Sequence, residues 1–162
     1  MMLTRLRATV TGVLAVLLVS VAGALAQDAT PAAPTSILEA YGAAWSSGDA
    51  AQVAALYTED AVRIDVPTAT TSDGRDAIEA MATALFATDS DVRLEVTDGF
   101  AGEEWAVVEW TFSGKQQATG REVTFKGAAV LELQDGLIHE ERDYYDLPEM
   151  MAQITGAATP AP

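Results

Sequence analysis

The sequence predicts an α+β domain in which three N-terminal helices pack on a curved antiparallel sheet. Between residues 36 and 87, apart from a short strand at 61–66, apolar side chains recur at helical spacing, whereas from residue 91 onward apolar and polar side chains alternate. The turn signals Asp98-Gly99, Ser113-Gly114 and Asp135-Gly136 divide this second part into strands. Helices that precede a strand meander are typical of the α+β class. The strands are long, so the sheet should curl into a cone with a pocket.

The first 26 residues have the features of a signal peptide. Arg5 and Arg7 give a short basic start, Val10 to Leu25 is almost entirely apolar, and Ala24-Leu25-Ala26 is a small-x-small cleavage site. An uncleaved membrane anchor is the alternative, although the apolar run is short for one and no basic cluster follows it. We therefore expect cleavage after Ala26 and a secreted or periplasmic protein that has no membrane contact afterwards.

Residues 27–35 and 155–162 are rich in Pro, Ala and Thr, which is typical of flexible segments. The folded domain should therefore span residues 36–154. The chain has no cysteine, so its stability cannot come from disulfides. Its formal charge of −15 would repel nucleic acid and anionic membranes, and it favours neutral or cationic small molecules as ligands.

The helical part contains three helices with recognisable ends. Ser36-Ile37-Leu38-Glu39 is a capping box that begins the first helix. Gly48-Asp49 ends this helix and begins a second one, which should reach Tyr57. A third helix is expected over residues 75–87, after a loop that contains Asp73-Gly74.

Five strands are expected, at residues 61–66, 91–98, 104–113, 121–133 and 137–145. In the first strand Arg63 and Asp65 share one face. In the last strand Glu141, Asp143 and Tyr145 share one face, so all three should point the same way unless a bulge intervenes.

Three side chains are candidates for catalysis because this fold would bring them to the mouth of the pocket. They are Tyr41 on the apolar side of the first helix, Asp65 and Asp143. Carboxylates beside an apolar cavity raise each other's pKa, and burial acts in the same direction, so one of them becomes a usable general base near neutral pH. The residues expected to bind a ligand are Trp45, Arg63, Met81, Phe86, Glu109, Thr111, Phe125, Glu141 and Tyr145.

Several of these residues also have a purely structural interpretation. Tyr41 could be a core residue, Asp65 could face solvent, and Glu109 could form an ion pair with an arginine. We expect His139 at the surface or at a strand edge, and Arg142 in a salt bridge on the outer or helix-facing side of the sheet. One histidine and no cysteine do not make a zinc site, so neither a metal nor another cofactor is expected.

The order of several short motifs resembles the cone-shaped superfamily of nuclear transport factor 2, over residues 37–151. The superfamily includes ketosteroid isomerases, limonene epoxide hydrolase and SnoaL-like polyketide cyclases. The resemblance depends on Tyr41 with Gly48-Asp49, Leu56-Tyr57-Thr58-Glu59-Asp60-Ala61, Asp65, Gly74-Arg75-Asp76-Ala77-Ile78 and Asp143-Tyr144-Tyr145-Asp146. It implies the same cone-shaped fold, and we also expect a homodimer.

The resemblance implies two different sets of site residues. By similarity to ketosteroid isomerases, Tyr41 is the oxyanion-hole tyrosine and Asp65 the general base, while Ala129 stands where that family has a second, aspartic acid donor. By similarity to limonene epoxide hydrolase, Asp143 is a catalytic aspartate and Asp65 replaces a water-positioning asparagine. The arginine and second aspartate of that enzyme would fall on Glu109 and Thr111.

Two functional hypotheses follow from the sequence. The first is an exported acid–base enzyme that isomerises, cyclises or hydrolyses a small, mostly apolar or aromatic molecule. Asp65 or Asp143 would be its base, and Tyr41 would be its hydrogen-bond donor. The alternative is a non-catalytic ligand-binding or dimerisation module, because one fold can serve both roles.

Overall fold

The structure, a computed structural model, describes residues 36–156. The expected signal peptide, the linker over residues 27–35 and residues 157–162 of the expected tail lie outside this range. The elements in chain order are α1 (Ile37–Ser46), α2 (Ala50–Ala54), β1 (Tyr57–Asp65), β2 (Thr70–Asp73), α3 (Arg75–Thr88), β3 (Asp89–Ala101), β4 (Trp105–Gln116), β5 (Glu122–Gln134), β6 (Leu137–Tyr145) and α4 (Leu147–Thr155).

The strands of residues 36–156 form one six-stranded sheet in the order β2-β1-β6-β5-β4-β3. The predicted α+β class with a curved sheet is confirmed, but the sheet is not wholly antiparallel. Strand β1 pairs in parallel with β6, while the other neighbouring pairs are antiparallel. The parallel pair arises because the chain leaves β1, forms β2, α3 and the strands β3 to β5, and returns beside β1. This return places Asp65 next to Asp143.

Local sequence signals set the ends of the first two helices. The capping box of α1 is complete, since Ser36 Oγ accepts from the Glu39 amide at 3.3 Å and Glu39 accepts from the Ser36 amide at 3.3 Å. Gly48 adopts a positive φ of 71° after α1, and Asp49 caps α2. The prediction that α2 reaches Tyr57 was wrong. Tyr57 begins β1 instead, because it pairs with Ile138 of β6 and its ring is fully buried.

Helix α4 was not predicted, although its ends have recognisable signals. Asp146 caps its first turn by accepting from the Glu149 amide at 2.8 Å, and Gly156 follows its last turn in the left-handed conformation. Gln153 fastens the helix to β5 through two bonds with the Thr124 backbone, of 2.8 and 2.7 Å. Helix α4, which follows β6 in the chain, therefore packs against β5.

The hydrophobic core lies between the helices and the face of the sheet that they cover. Strand β4 shows the alternation most clearly, since Ala106, Val108, Trp110 and Phe112 are buried and Glu109 between them is exposed. Tyr41 and Trp45 of α1 belong to the same core. Within residues 36–156, no helix is long and apolar enough to cross a membrane.

Candidate functional site

A cavity of about 210 Å³ lies between α1, α3, α4 and the covered face of the sheet. Its walls are mostly aromatic and aliphatic, with one arginine and two aspartates. The lining residues are Tyr41, Trp45, Arg63, Asp65, Leu85, Leu94, Trp110, Phe112, Phe125, Asp143, Tyr145 and Met150. Apolar walls with a few converging polar groups are the usual composition of a small-molecule site.

The structure brings the three candidate catalytic residues, Tyr41, Asp65 and Asp143, to this one cavity. Four of the predicted binding residues line it as well: Trp45, Arg63, Phe125 and Tyr145. Sequence reasoning missed the other five lining residues, which are Leu85, Leu94, Trp110, Phe112 and Met150. The alternation of β4 carried a signal for Trp110 and Phe112, because they share a face with the buried Val108.

The prediction that Glu109 points into the cavity was wrong. Trp110 and Phe112 take the covered face of β4, and the period of two then turns Glu109 and Thr111 to the other face. Glu109 is exposed, and it forms no ion pair with any residue between 36 and 156. The epoxide-hydrolase correspondence at these two positions therefore has no counterpart in the cavity.

Three other predicted binding residues lie behind the cavity wall. Met81 and Phe86 of α3 are partly buried and pack against the core. Phe86 contacts the Trp45 ring edge to face, with 6.4 Å between ring centroids, and so supports that wall from behind. Glu141 is 0% exposed and lies beneath the cavity, where it binds polar side chains.

Asp65 of β1 and Asp143 of β6 are register partners in the parallel strand pair, so their side chains lie side by side on the same face of the sheet. Asp65 is half-buried, and Tyr145 and Thr68 both donate hydrogen bonds to it. The Tyr145 hydroxyl lies 2.9 Å from Oδ2, while the hydroxyl and amide of Thr68 lie 2.7 and 3.0 Å from Oδ1. Burial, followed by the bond to Asp65, raises the pKa of Tyr145 above its ordinary range.

Asp143 is 1% exposed and occupies a different environment. Its Oδ2 accepts from Arg63 Nη2, whereas its Oδ1 has no hydrogen-bond partner among the described residues. Burial raises the pKa of Asp143 well above its ordinary range; Arg63 opposes this shift, and the negative charges of Glu141 and Asp65 reinforce it. A carboxyl group with a raised pKa can exchange a proton closer to neutral pH.

Glu141 is held by two phenols and one guanidinium. The hydroxyls of Tyr41 and Tyr57 donate to its two oxygens, the first at 2.8 Å. Arg63 Nε lies 3.3 Å from Oε1 as an ion pair without hydrogen-bond geometry. Burial is the main cause that raises the pKa of both phenols. Tyr57 was not a predicted site residue, because the sequence placed it in a helix.

These contacts change the role expected of Tyr41. A phenol has one hydrogen to donate, and that of Tyr41 is directed to Glu141 rather than to the cavity. Ala129, the other position at which the resemblance placed a donor, is buried beside Asp143 and has no polar side chain. The ketosteroid-isomerase arrangement of two oxyanion donors is therefore not reproduced here.

Arg63 is the cation of the site. Its guanidinium bridges Glu141 and Asp143 and stacks over Trp45, with its central carbon 5.4 Å from the ring centroid. Burial alone would lower the pKa of Arg63, but the two carboxylates more than offset this and raise it. Arg63 also lines the cavity, and between residues 36 and 156 its Nη1 forms no hydrogen bond.

The remaining polar candidates lie elsewhere. His139 is half-exposed, 3.2 Å from the Thr58 hydroxyl and 3.6 Å from Asp60, and does not line the cavity. Arg142 forms an ion pair with Glu140, on the side of β6 away from Asp143. The described range contains no group of three His, Cys, Asp or Glu residues that could hold a metal ion.

The model of one protein family, described as SnoaL-like polyketide cyclase, matches residues 35–154. Among curated proteins, none matches this chain.

Solved structures share the fold. One is a hypothetical protein with a ketosteroid isomerase-like fold from Catenulispora acidiphila, determined in complex with trimethylamine; it is 22% identical, with 79% of this chain and 100% of that chain covered and a TM-score of 0.70. An epoxide hydrolase from M. tuberculosis, similar to limonene epoxide hydrolase, is 21% identical, with 75% and 88% covered and a TM-score of 0.63. A polyketide cyclase-like protein from Pseudomonas putida is 22% identical, with 74% and 98% covered and a TM-score of 0.62. At these identities the likeness shows the fold.

Proposed function

Since this chain belongs to the family of SnoaL-like polyketide cyclases, we propose that it is a cofactor-independent acid–base enzyme acting on a small, mostly apolar or aromatic molecule. The observation that carries this proposal is the pair formed by Asp65 and Asp143. The two carboxyl groups share one cavity, but one is deeply buried and the other is half-exposed. Burial raises the pKa of Asp143, which suits this carboxyl group to proton exchange near neutral pH.

The geometry supports a proton shift next to a carbonyl group. Ionised Asp143 removes a proton from the carbon beside the carbonyl. The electron pair of that C–H bond forms a carbon–carbon double bond, and the π electron pair of the carbonyl moves onto its oxygen. Arg63 stabilises the negative oxygen through its remaining N–H groups. In an isomerisation Asp143 returns the proton to another carbon. In a cyclisation the enolate attacks a second carbonyl carbon, and the oxygen of that carbonyl takes the proton from Asp143. Asp65, which lies beside Asp143 on the same wall of the cavity, exchanges protons with a neighbouring atom of the ligand.

The cavity volume limits the ligand to a small molecule. At about 210 Å³, the space is somewhat larger than the roughly 150 Å³ engineered cavity that holds benzene, and smaller than the roughly 300–1,000 Å³ of drug-sized ligand pockets. A single ring with one or two substituents fits this space. Trp110, Phe112 and Phe125 offer flat walls to such a ring.

Deuterium exchange from heavy water into a small aromatic ketone with a single ring, such as phenylacetone, tests the proposal. The wild-type protein should accelerate exchange at the carbons beside the carbonyl by about 10²- to 10⁴-fold over Asp143→Asn, which is the range of general base catalysis. Glu109→Gln is the matched control, because it removes a carboxylate from the opposite face of the sheet. Exchange no faster with the wild type than with Asp143→Asn would contradict the proposal.

A second candidate is a non-catalytic module that binds a small organic cation. Aromatic side chains and carboxylates surround the cavity, and a structure with the same fold was determined in complex with trimethylamine. Aromatic walls attract ammonium groups through their ring faces. Choline and its neutral isostere 3,3-dimethyl-1-butanol separate the two candidates. If choline alone stabilises the protein against unfolding, the result favours this module. Equal stabilisation by both compounds, or none by either, excludes it.

Export and a homodimer are also part of the proposal. The signal-peptide features of residues 1–26 support export. The outer face of the sheet has partly exposed apolar side chains, including Val107, Val130 and Tyr144, which supports self-association. Light scattering coupled to size-exclusion chromatography measures the assembly, and a monomer at micromolar concentration would exclude the dimer.

A further inference from the structure

Glu141 and Asp143 are two buried carboxyl groups on the same face of β6, and their surroundings are not equivalent. Both oxygens of Glu141 are occupied by donors, since the Tyr41 hydroxyl lies 2.8 Å from Oε1 and the Tyr57 hydroxyl bonds Oε2. Asp143 has a donor on one oxygen only, Nη2 of Arg63, and its Oδ1 is buried without a partner in the described part of the chain.

One cation serves both carboxylates. Arg63 Nε lies 3.3 Å from Glu141 Oε1, and Arg63 Nη2 bonds Asp143. With both carboxylates ionised, this buried cluster of one arginine and two acids carries one negative charge. An uncompensated buried charge is costly, and binding one proton removes the cost.

We propose that Glu141 is a positioning residue, which holds the fixed negative charge beneath the cavity and leaves Asp143 as the carboxyl group that gains and loses the proton. A proton on Glu141 would displace the hydrogen donated by Tyr41 or Tyr57, or would lie against the Arg63 guanidinium. A proton on Asp143 Oδ1 displaces no donor. Glu141 thus also fixes Arg63 and Tyr41 in place, and this assignment deepens the acid–base function proposed above and rests on it for its chemical use.

The polar and charged groups around Asp143 come from three elements. Strand β1 contributes Arg63 and Asp65, and also Tyr57 at its start. Strand β6 contributes Glu141 and Tyr145, and α1 contributes Tyr41. On the β5 side the register partner is the apolar Ala129. Apart from Arg63, every charged group in this set is an acid, so removing the charge of Glu141 removes one of the few charges that oppose ionisation of Asp143.

Carbon-13 NMR of the side-chain carboxyl carbons tests the proposal without a substrate. In the wild-type protein the Asp143 carbon should report proton release well above the ordinary range of an aspartate. In Glu141→Gln the Asp143 midpoint should fall by about one pH unit or more, because a nearby like charge is lost while Arg63 remains. Glu140→Gln is the matched control, since Glu140 is the preceding residue and pairs with Arg142 on the other face.

Two results would overturn the proposal. One is a wild-type Asp143 carbon that releases its proton within or below the ordinary aspartate range, a measurement that needs no variant to fold. The other is an Asp143 midpoint that is the same in Glu141→Gln and in wild type, as a merely structural role would leave it. If the titrations agree with the proposal and the ketone exchange assay fails, the positioning role holds and the proposed reaction is wrong.

Discussion

Asp65 and Asp143 are register partners on two parallel neighbouring strands, and both side chains line one cavity. They lie far apart in sequence and meet only because β6 returns beside β1. Tyr145 and Thr68 donate to Asp65, whereas Asp143 shares Arg63 with Glu141. Two carboxyl groups of the same residue type therefore have different surroundings within one site, and the difference can be tested by changing one group at a time.

Replacing Arg63 with methionine should destabilise the protein by about 3–5 kcal/mol near neutral pH, because two buried carboxylates then lose their cation. Part of this loss should be recovered at acidic pH, where the carboxyl groups can be protonated. Urea unfolding at several pH values measures the effect. Arg142→Met is the control, since Arg142 and Glu140 form a partly exposed pair whose loss should cost about 0–1 kcal/mol. Equal losses in the two variants would show that Arg63 has no special role.

Replacing Asp65 with asparagine should bring the pKa of Tyr145 down towards that of an ordinary tyrosine. Burial is the first cause of the raised pKa of Tyr145 and remains in the variant, but the bond and the charge of Asp65 are removed. Tyrosine ring NMR against pH follows each phenol separately. Tyr144 is exposed and serves as the internal control. An unchanged Tyr145 signal would mean that the bond to Asp65 does not persist in solution.

Gly127→Ala should deform the cavity wall, because the added methyl carbon would lie 2.4 Å from the Trp110 ring and 2.7 Å from the Tyr144 carbonyl oxygen. Overpacking of this kind costs about 1–3 kcal/mol, and displacement of the indole should also alter the fluorescence of Trp110. Gly102→Ala is the matched control, with its closest contact at 3.6 Å. A Gly127 variant as stable as the Gly102 variant would contradict the close approach of Trp110 to β5.

Secreted protein should begin at Gln27 or within a residue or two of it, because the sequence predicts cleavage after Ala26. Sequencing the N-terminus of the exported protein measures this directly. An Ala24→Leu, Ala26→Leu variant should be cleaved poorly, since both small positions of the cleavage site are lost. Membrane-bound protein that keeps Met1 would reverse the expectation of export.

The sequence predicted the helices and strands where a local signal was strong, and it misjudged elements that depend on distant partners. The capping box at Ser36 and the alternation of β4 are local, so α1 and the buried face of β4 could be identified. Tyr57 has helical neighbours in sequence, but pairing with Ile138 places it in β1. Glu109 was assigned to the cavity, but it alternates with Val108 and Trp110, and these two residues take the buried face of the strand. The hydrogen bond from Tyr41 to Glu141 joins two residues that lie 100 positions apart in the sequence, and no local pattern reveals it.

The stability of Asp143→Asn against pH tests the central claim most directly. Burial and neighbouring acids raise the folded pKa of Asp143 above its unfolded value of about 3.9. The unfolded chain therefore loses this proton first, and the wild-type protein should lose stability as the pH rises from the unfolded pKa to the folded pKa.

Each unit of difference between the two pKa values contributes about 1.4 kcal/mol. Asparagine cannot ionise, so this contribution should be absent from the variant. Unfolding free energies of wild type and Asp143→Asn, measured in urea from about pH 4 to about pH 8, should therefore diverge in favour of the variant as the pH rises. A variant that instead becomes progressively less stable than wild type over this range would show that Arg63 lowers the pKa of Asp143. Asp143 would then be a structural ion-pair partner and not the proton-exchanging group of the site.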